Sequence, residues 1–355
     1  MQIPSIRTIA CAGEIGAMVA ALLIPADTLA QNVTACASIS EDMERLHCYD
    51  GSFRKKSEMP RQPTTVSYPL PATSQVVPEI SKPVSPMSKR WELDPGTRND
   101  IFNFRPHHQN YILPYTHTNS VNTAPYQPSL DALAATGLIP STSVPLEANE
   151  AKFQLSFKVK VWEDIVPGRL DLWLGYTQQS YWQVYNRNLS STFRESNYEP
   201  ETMLTLRTDS EVLGWRWRYM TLGLLHQSNG RAEPLSRSWN RIYAEFGMER
   251  GPFSVSVRPW YRLKEAIEKD DNPDIVDYLG HGDITATYRA GGHQFGLLAR
   301  YNASSGNGGA QLDWSFPLYG PLRGYAQVFS GYGYNMLDYK HRQTVGGIGI
   351  LLTDN

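Results

Sequence analysis

His226, Ser228 and Asn240 are the residues whose types and spacing could do chemistry. A serine hydroxyl becomes a nucleophile only when a base takes its proton. A histidine two residues away on an extended chain points from the same face and can reach it. The imidazole in turn needs a group to hold its tautomer, and an asparagine amide oxygen can accept a hydrogen bond from the second ring nitrogen. A neutral amide orients the ring but stabilises the imidazolium less than a carboxylate would. The set fits a Ser/His/Asn triad for acyl transfer. On spacing alone it competes with a blander reading, because His-x-Ser is common and Asn229-Gly230 is an ordinary turn signal.

The element that must position the trio is the segment Met220–Met248. Folded as a hairpin with its loop centred on Glu233, it sets His226 opposite Asn240 and Ser228 opposite Ser238. The same face then continues through Met220, Leu222 and Leu224 on one strand and Ile242, Ala244, Phe246 and Met248 on the other. The opposite face carries Gln227, Trp239, Arg241, Tyr243 and Glu245 and is mostly polar. In a soluble protein the apolar face would be the core. In a membrane barrel it would meet lipid, and Arg241 and Glu245 would pair inside. The barrel reading puts His226, Ser228 and Asn240 on the outside wall, where a substrate arrives from the membrane plane.

Strand-like segments of about ten residues recur from residue 151 onward. They lie near 152–163, 169–182, 198–208, 213–227, 238–249, 252–262, 277–288, 292–302, 309–317, 321–331 and 343–352, and Tyr111–Thr118 adds one more. About twelve strands are therefore expected, an even number as in bacterial outer-membrane barrels. Connections alternate between tight turns, such as Arg250-Gly251, and long polar loops at 186–197, 228–237 and 262–276. The fold class expected is all-β, a transmembrane antiparallel barrel. Twenty Tyr, nine Trp and eleven Phe suit its aromatic girdles and suit a soluble β-protein nearly as well. With 33 basic against 35 acidic residues and no basic block, nothing points to nucleic acid.

Residues 1–30 read as a signal peptide, with Arg7 before an apolar stretch from Ile15 to Ala26 and small residues near Ala30. Residues 31–100 read as a small periplasmic segment followed by a Pro/Ser-rich linker. Cys36 and Cys48 are spaced to close a short loop by a disulfide, and no His/Cys partner set argues for a metal there.

The run from His226 to Arg231, followed by Ser236-Arg237-Ser238-Trp239-Asn240-Arg241, resembles the signature of the outer-membrane phospholipase A family. Phe193–Pro200, Arg258–Tyr261, Asp270–Asp274, Lys152–Ser156 and Ser330–Gly333 match in order, so the likeness spans residues 101–355. The resemblance implies a twelve-stranded barrel in the Gram-negative outer membrane, with its site facing the outer leaflet. It implies a calcium-dependent homodimer that cleaves acyl esters of phospholipids and lysophospholipids at both the sn-1 and sn-2 positions. By position, Ser228 would be the nucleophile, His226 the base and Asn240 the orienting residue, with the Gly230 amide in the oxyanion hole. Calcium would be held by the Ser190 carbonyl together with the neighbouring subunit's Arg231 carbonyl and Ser236 hydroxyl. A second site would use Asp271 and Glu233. Glu233 stands where the family often has Asp, which keeps the charge and lengthens the reach. Gln178 would bond across the dimer interface, against the alternative that it faces the lumen. The final residues, Leu351–Asn355, lack the terminal aromatic usual for barrel assembly. Two competing readings are a non-enzymatic porin-like or structural barrel and a soluble periplasmic esterase.

Overall fold

The computed structural model describes residues 36, 38–53, 84–137 and 144–353. The signal peptide expected at 1–30, residues 54–83 of the linker and the last two residues lie outside them. The chain divides into two compact units, Met1–Glu79 and Ile80–Asn355. In the first unit the described residues include helix α1 (Asp42–Phe53) and the expected Cys36–Cys48 disulfide.

The second unit is a barrel. Its strands are β1 (Phe104–Pro106), β2 (Asn110–Thr118), β3 (Asn149–Val166), β4 (Leu170–Trp182) and β5 (Glu195–Val212). They continue with β6 (Trp215–Ser228), β7 (Ser238–Arg250), β8 (Phe253–Leu263) and β9 (Gly282–Ala290). The last four are β10 (His293–Asn302), β11 (Asn307–Tyr319), β12 (Leu322–Gly331) and β13 (Gln343–Thr353). Each barrel strand pairs antiparallel with the next, and β13 closes on β2 with Ile348 opposite Tyr115. β1 and β2 share one edge of β3, pairing with residues 157–159 and 149–154 respectively. They are one strand position interrupted at His107–Gln109, so the closed barrel has twelve positions, as the sequence led us to expect.

Side chains alternate across the wall with the period of two that a strand imposes. On β6, Leu222 and Leu224 are 51% and 55% exposed, while Tyr219, Thr221 and Leu225 are buried. Around the barrel the outward positions include Leu174, Ile242, Phe295, Leu312 and Val328. The inward ones include Lys152, Lys158, Lys160, Asp171, Arg207, Arg218 and Arg241. Apolar outside and charged inside is the inverse of a soluble protein and the pattern of a barrel in lipid. The soluble-esterase reading does not survive it. No helix among the described residues is long and apolar enough to cross a membrane.

Two segments differ from the sequence reading. The stretch read as a strand from 277 begins instead with helix α3 (Ile275–Leu279), and β9 starts at Gly282. Ile275 and Leu279, four apart, both turn inward on the helix, and Gly280 at φ 72° ends it. Residues 84–100, read as linker, belong to the barrel unit, so a boundary at residue 100 cuts through packed structure. There Ser85 caps helix α2 (Pro86–Trp91) by accepting a hydrogen bond from the Ser88 amide, and Pro86 occupies the first turn. Trp91 is 1% exposed, against Trp173, Tyr219 and His107, with the Lys158 ammonium 3.0 Å from its ring centroid. Glu92 pairs with Lys160 at 2.9 Å and Arg105 at 3.0 Å, and Asp94 pairs with Arg218 at 2.9 Å. The segment adds carboxylates to buried lumen cations, Lys160 and Arg218, that also pair with Glu163 and with Asp209 and Glu249. Trp91→Ala is expected to destabilise the barrel by about 3 kcal/mol, read as a lower urea midpoint for loss of the folded gel band. An unchanged midpoint would show that this packing contributes nothing.

Candidate active site

The strand register brings the chemical trio together. β6 and β7 pair with His226 opposite Asn240 and Ser228 opposite Ser238, as the hairpin reading required. His226 Nδ1 lies 2.8 Å from Asn240 Oδ1. Asn240 Nδ2 donates to Glu265 Oε1 at 2.8 Å. Ser228 stands two residues along the face from His226, and its hydroxyl makes no hydrogen bond among the described residues. Catalytic contacts of this kind often tighten only when substrate is bound. His226 is exposed and Ser228 half-buried, at the rim of the outward apolar band.

Behind the trio the inward face is tied down. Gln227 donates to Glu199 at 2.7 Å and accepts from the Trp239 indole at 2.7 Å and from Arg241 at 3.0 Å. The Arg241 guanidinium lies 3.9 Å from the Trp239 ring centroid. These contacts lock β6 to β5 and β7 on the side away from the chemistry, so the outward side chains inherit a rigid backbone.

The loop joining the strands is built around Asn229. Its side chain donates to the Leu235 carbonyl at 2.8 Å and accepts from the Arg237 amide at 2.9 Å. Ser238 is held from outside the hairpin, its amide donating to the buried Asn272 at 2.9 Å. Gly230 follows Asn229 with φ 63°, a left-handed conformation that favours glycine, and an added Cβ would meet Tyr198 at 3.3 Å. The Gly230 amide donates no hydrogen bond among the described residues.

Oxygen donors gather beside this loop. Ser236 donates to the Asp271 carboxylate, and Glu233 hydrogen-bonds the same carboxylate. That shared hydrogen bond, with partial desolvation and charge repulsion behind it, raises the Glu233 carboxyl above its ordinary range. Two carboxylates and a hydroxyl suit a hard divalent cation, which would relieve the conflict between the carboxylates. Ser190 stands apart, its carbonyl accepting from the Trp182 indole at 2.8 Å. Arg231 points its guanidinium to Glu195 at 3.2 Å.

A sequence model of the phospholipase A1 family matches residues 87–352. The chain belongs to the phospholipase A1 family. Phospholipase A1 of Escherichia coli K12 is 38% identical over 253 residues, covering 71% of this chain and 82% of that protein. A Neisseria meningitidis serogroup B protein, provisionally named phospholipase A1, is 34% identical over 364 residues and covers 94% of each chain. Its match therefore takes in most of the N-terminal unit as well. The solved outer-membrane phospholipase A of Escherichia coli is 39% identical with a TM-score of 0.64, covering 71% of this chain and 99% of that one. The Salmonella typhi outer-membrane phospholipase, solved as a dimer with bound calcium, is 37% identical with a TM-score of 0.64. It covers 72% of this chain and 94% of its own. Family and fold together make this chain an outer-membrane phospholipase.

In this phospholipase Gln178 lies on the outward side of β4, alternating with the inward Trp173, Gly175 and Thr177. The lumen-facing alternative is therefore not what the structure has. Gln178 donates to Ser180 at 3.1 Å and accepts from the Tyr176 hydroxyl at 3.3 Å. The structure also joins residues that sequence reasoning passed over. Asn229 and Asn272 shape the loop, and only their place in the Asn-Gly and Asp-Asn-Pro runs hinted at it. Glu265 gave no signal. A second cluster, His107, His108 and Glu201, lies at the β1–β2 interruption. His107 Nε2 is 2.6 Å from Glu201, a hydrogen-bond distance. Two ligands about 2.1 Å from one ion stand about 3 Å apart or more, so this pair is an internal hydrogen bond between β5 and the β1–β2 interruption.

Proposed function

We propose that the protein is a calcium-dependent phospholipase that cleaves acyl esters of phospholipids and lysophospholipids, at the sn-1 and sn-2 positions. One observation carries this reading: the His226–Asn240 hydrogen bond lies on the lipid-facing wall with Ser228 two residues along the same face. Ser228 Oγ attacks the acyl carbonyl carbon while its proton passes to His226 Nε2. Asn240 Oδ1 accepts the Nδ1 proton and holds the imidazolium in place. The Gly230 amide, unengaged among the described residues, donates to the oxyanion. His226 then gives its proton to the departing alcohol oxygen of the lysolipid, leaving acyl-Ser228. A water deprotonated by His226 releases the fatty acid and restores the serine.

Ser190, Arg231 and Ser236 would hold calcium across a homodimer, with Glu233 and Asp271 forming a second site. Calcium held there would supply Lewis-acid polarisation of the substrate carbonyl. Gln178 would bond to the second subunit with the amide capacity left beyond its contacts to Ser180 and Tyr176, since a polar side chain on a lipid-facing wall favours a partner. The loops beside the site, 183–194, 229–237 and 264–281, are long, while the opposite end has turns such as 213–214 and 251–252. Outer-membrane barrels carry short turns on the periplasmic side and long loops outside, which supports a site toward the outer leaflet and an N-terminal unit in the periplasm. Residues 1–30 would be the export signal. Family membership favours this reading over a non-enzymatic porin-like barrel. A fluorophosphonate, whose phosphorus loses fluoride to an activated serine oxygen and phosphonylates it, should label the folded protein at Ser228 when calcium is present. Labelling elsewhere, or none, would sink the proposal.

A further inference from the structure

We propose that Glu265 is a positioning residue whose carboxylate fixes the Asn240 amide and, through it, the tautomer of His226. The inference rests on the triad reading. An asparagine amide has one accepting and one donating end, and a half-turn exchanges them at little steric cost. A carboxylate only accepts. Glu265 Oε1, 2.8 Å from Asn240 Nδ2, therefore assigns the donating end to itself and turns Oδ1 toward His226. A carbonyl oxygen likewise only accepts, so His226 Nδ1 must carry the proton at that 2.8 Å contact. The Nε2 lone pair is then left free to take the proton of Ser228. A reversed amide would donate to Nδ1, place the ring proton on Nε2 and remove the base.

Glu265 also supplies what a neutral third residue lacks. A hydrogen bond to a charged acceptor is stronger than a neutral one, and it polarises the amide so that Oδ1 becomes a better acceptor as the imidazolium forms. The fold provides for the contact. Leu263, the last residue of β8, pairs with Asn240, and two residues further the half-buried Glu265 returns to the Asn240 side. Other charges near the hairpin are turned away or engaged. Glu199, Glu201 and Arg241 belong to the inward face, and Arg262 is bound to Asp270 at 2.6 Å and to the Pro273 carbonyl. Lys264 adjoins Glu265 in sequence and is exposed.

The test uses full-length protein in detergent with calcium and a phospholipid substrate, comparing Glu265→Ala, Glu265→Gln, Asn240→Ala and the Asn240→Ala/Glu265→Ala pair. Folding of each is checked by heat-modifiable gel migration. Glu265→Ala should lower kcat about tenfold with KM little changed, and the double variant should be no slower than Asn240→Ala. In Glu265→Gln the acid limb of the kcat/KM profile should move to lower pH, because a negative charge favouring the imidazolium is gone. Wild-type kcat in both Glu265 variants beside an impaired Asn240→Ala would overturn this inference and leave the triad standing. Losses that simply multiply in the double variant would also overturn it. Full activity in Asn240→Ala would overturn the triad reading and this inference together.

Discussion

Ser228→Ala is expected to abolish phospholipid hydrolysis while the barrel assembles as before. Removing the nucleophile of a Ser/His unit costs at least about ten-thousandfold in kcat, because the remaining groups cannot form the acyl intermediate. The stability change should be small, within about 0.5 kcal/mol. Ser228 is half-buried at the barrel rim and its hydroxyl holds no hydrogen bond among the described residues, so truncation opens no cavity and strands no partner. The contacts that hold the hairpin, from Gln227 to Glu199, Trp239 and Arg241, are on the other face. Hydrolysis in mixed detergent micelles, beside heat-modifiable migration of the same samples, reads both effects. A folded Ser228→Ala protein that kept more than about one per cent of wild-type rate would mean the nucleophile lies elsewhere.

The hairpin was legible because two independent periods agreed. Alternation of apolar and polar residues fixed which side chains share a face, and the loop centre fixed the register that sets His226 against Asn240. The barrel class followed from the same alternation: Leu222 and Leu224 with His226 on one side, Arg241 and Glu245 on the other, with the charged side enclosed. Where side chains do not repeat, sequence reasoning lost its grip. Residues 84–98 have a linker's Pro, Ser and Lys content, yet Trp91, Glu92 and Asp94 meet lumen partners from β3, β4 and β6. Those partners are more than 60 residues away, and no local pattern encodes them. The strand reading took in residues 277–279 because a short apolar run has no decisive period. Ser190 would act through a carbonyl, which every residue possesses. Glu265 sits in a loop with no register to extrapolate, so its approach to Asn240 was visible only in three dimensions.

Removal of calcium should be nearly as damaging as loss of the serine. Chelator is expected to lower hydrolysis by at least about a hundredfold, with recovery on adding calcium and poor recovery with magnesium, which tolerates irregular oxygen cages badly. The charge arrangement would make such a requirement depend on pH in a definite sense. Contact with Asp271 raises the Glu233 carboxyl above its ordinary range, so without cation this group holds its proton at a higher pH than a free glutamate. A cation must displace that proton. The half-saturating calcium concentration should therefore rise as pH falls through the raised Glu233 range and level off above it. The cation-free protein behaves in the linked way. Its raised carboxyl favours folding at low pH, and that contribution is lost as pH rises through the folded-state value, until calcium offsets the repulsion. Asp271→Asn removes one charge and the repulsion together, so it should raise half-saturating calcium about tenfold and flatten its pH dependence. Calcium titrations of activity at pH 5.5 and 8 would decide the matter. Equal rates in chelator and in calcium would remove the cation from the reaction, whereas an Asp271→Asn curve matching wild type would move the cation site away from Glu233 and Asp271.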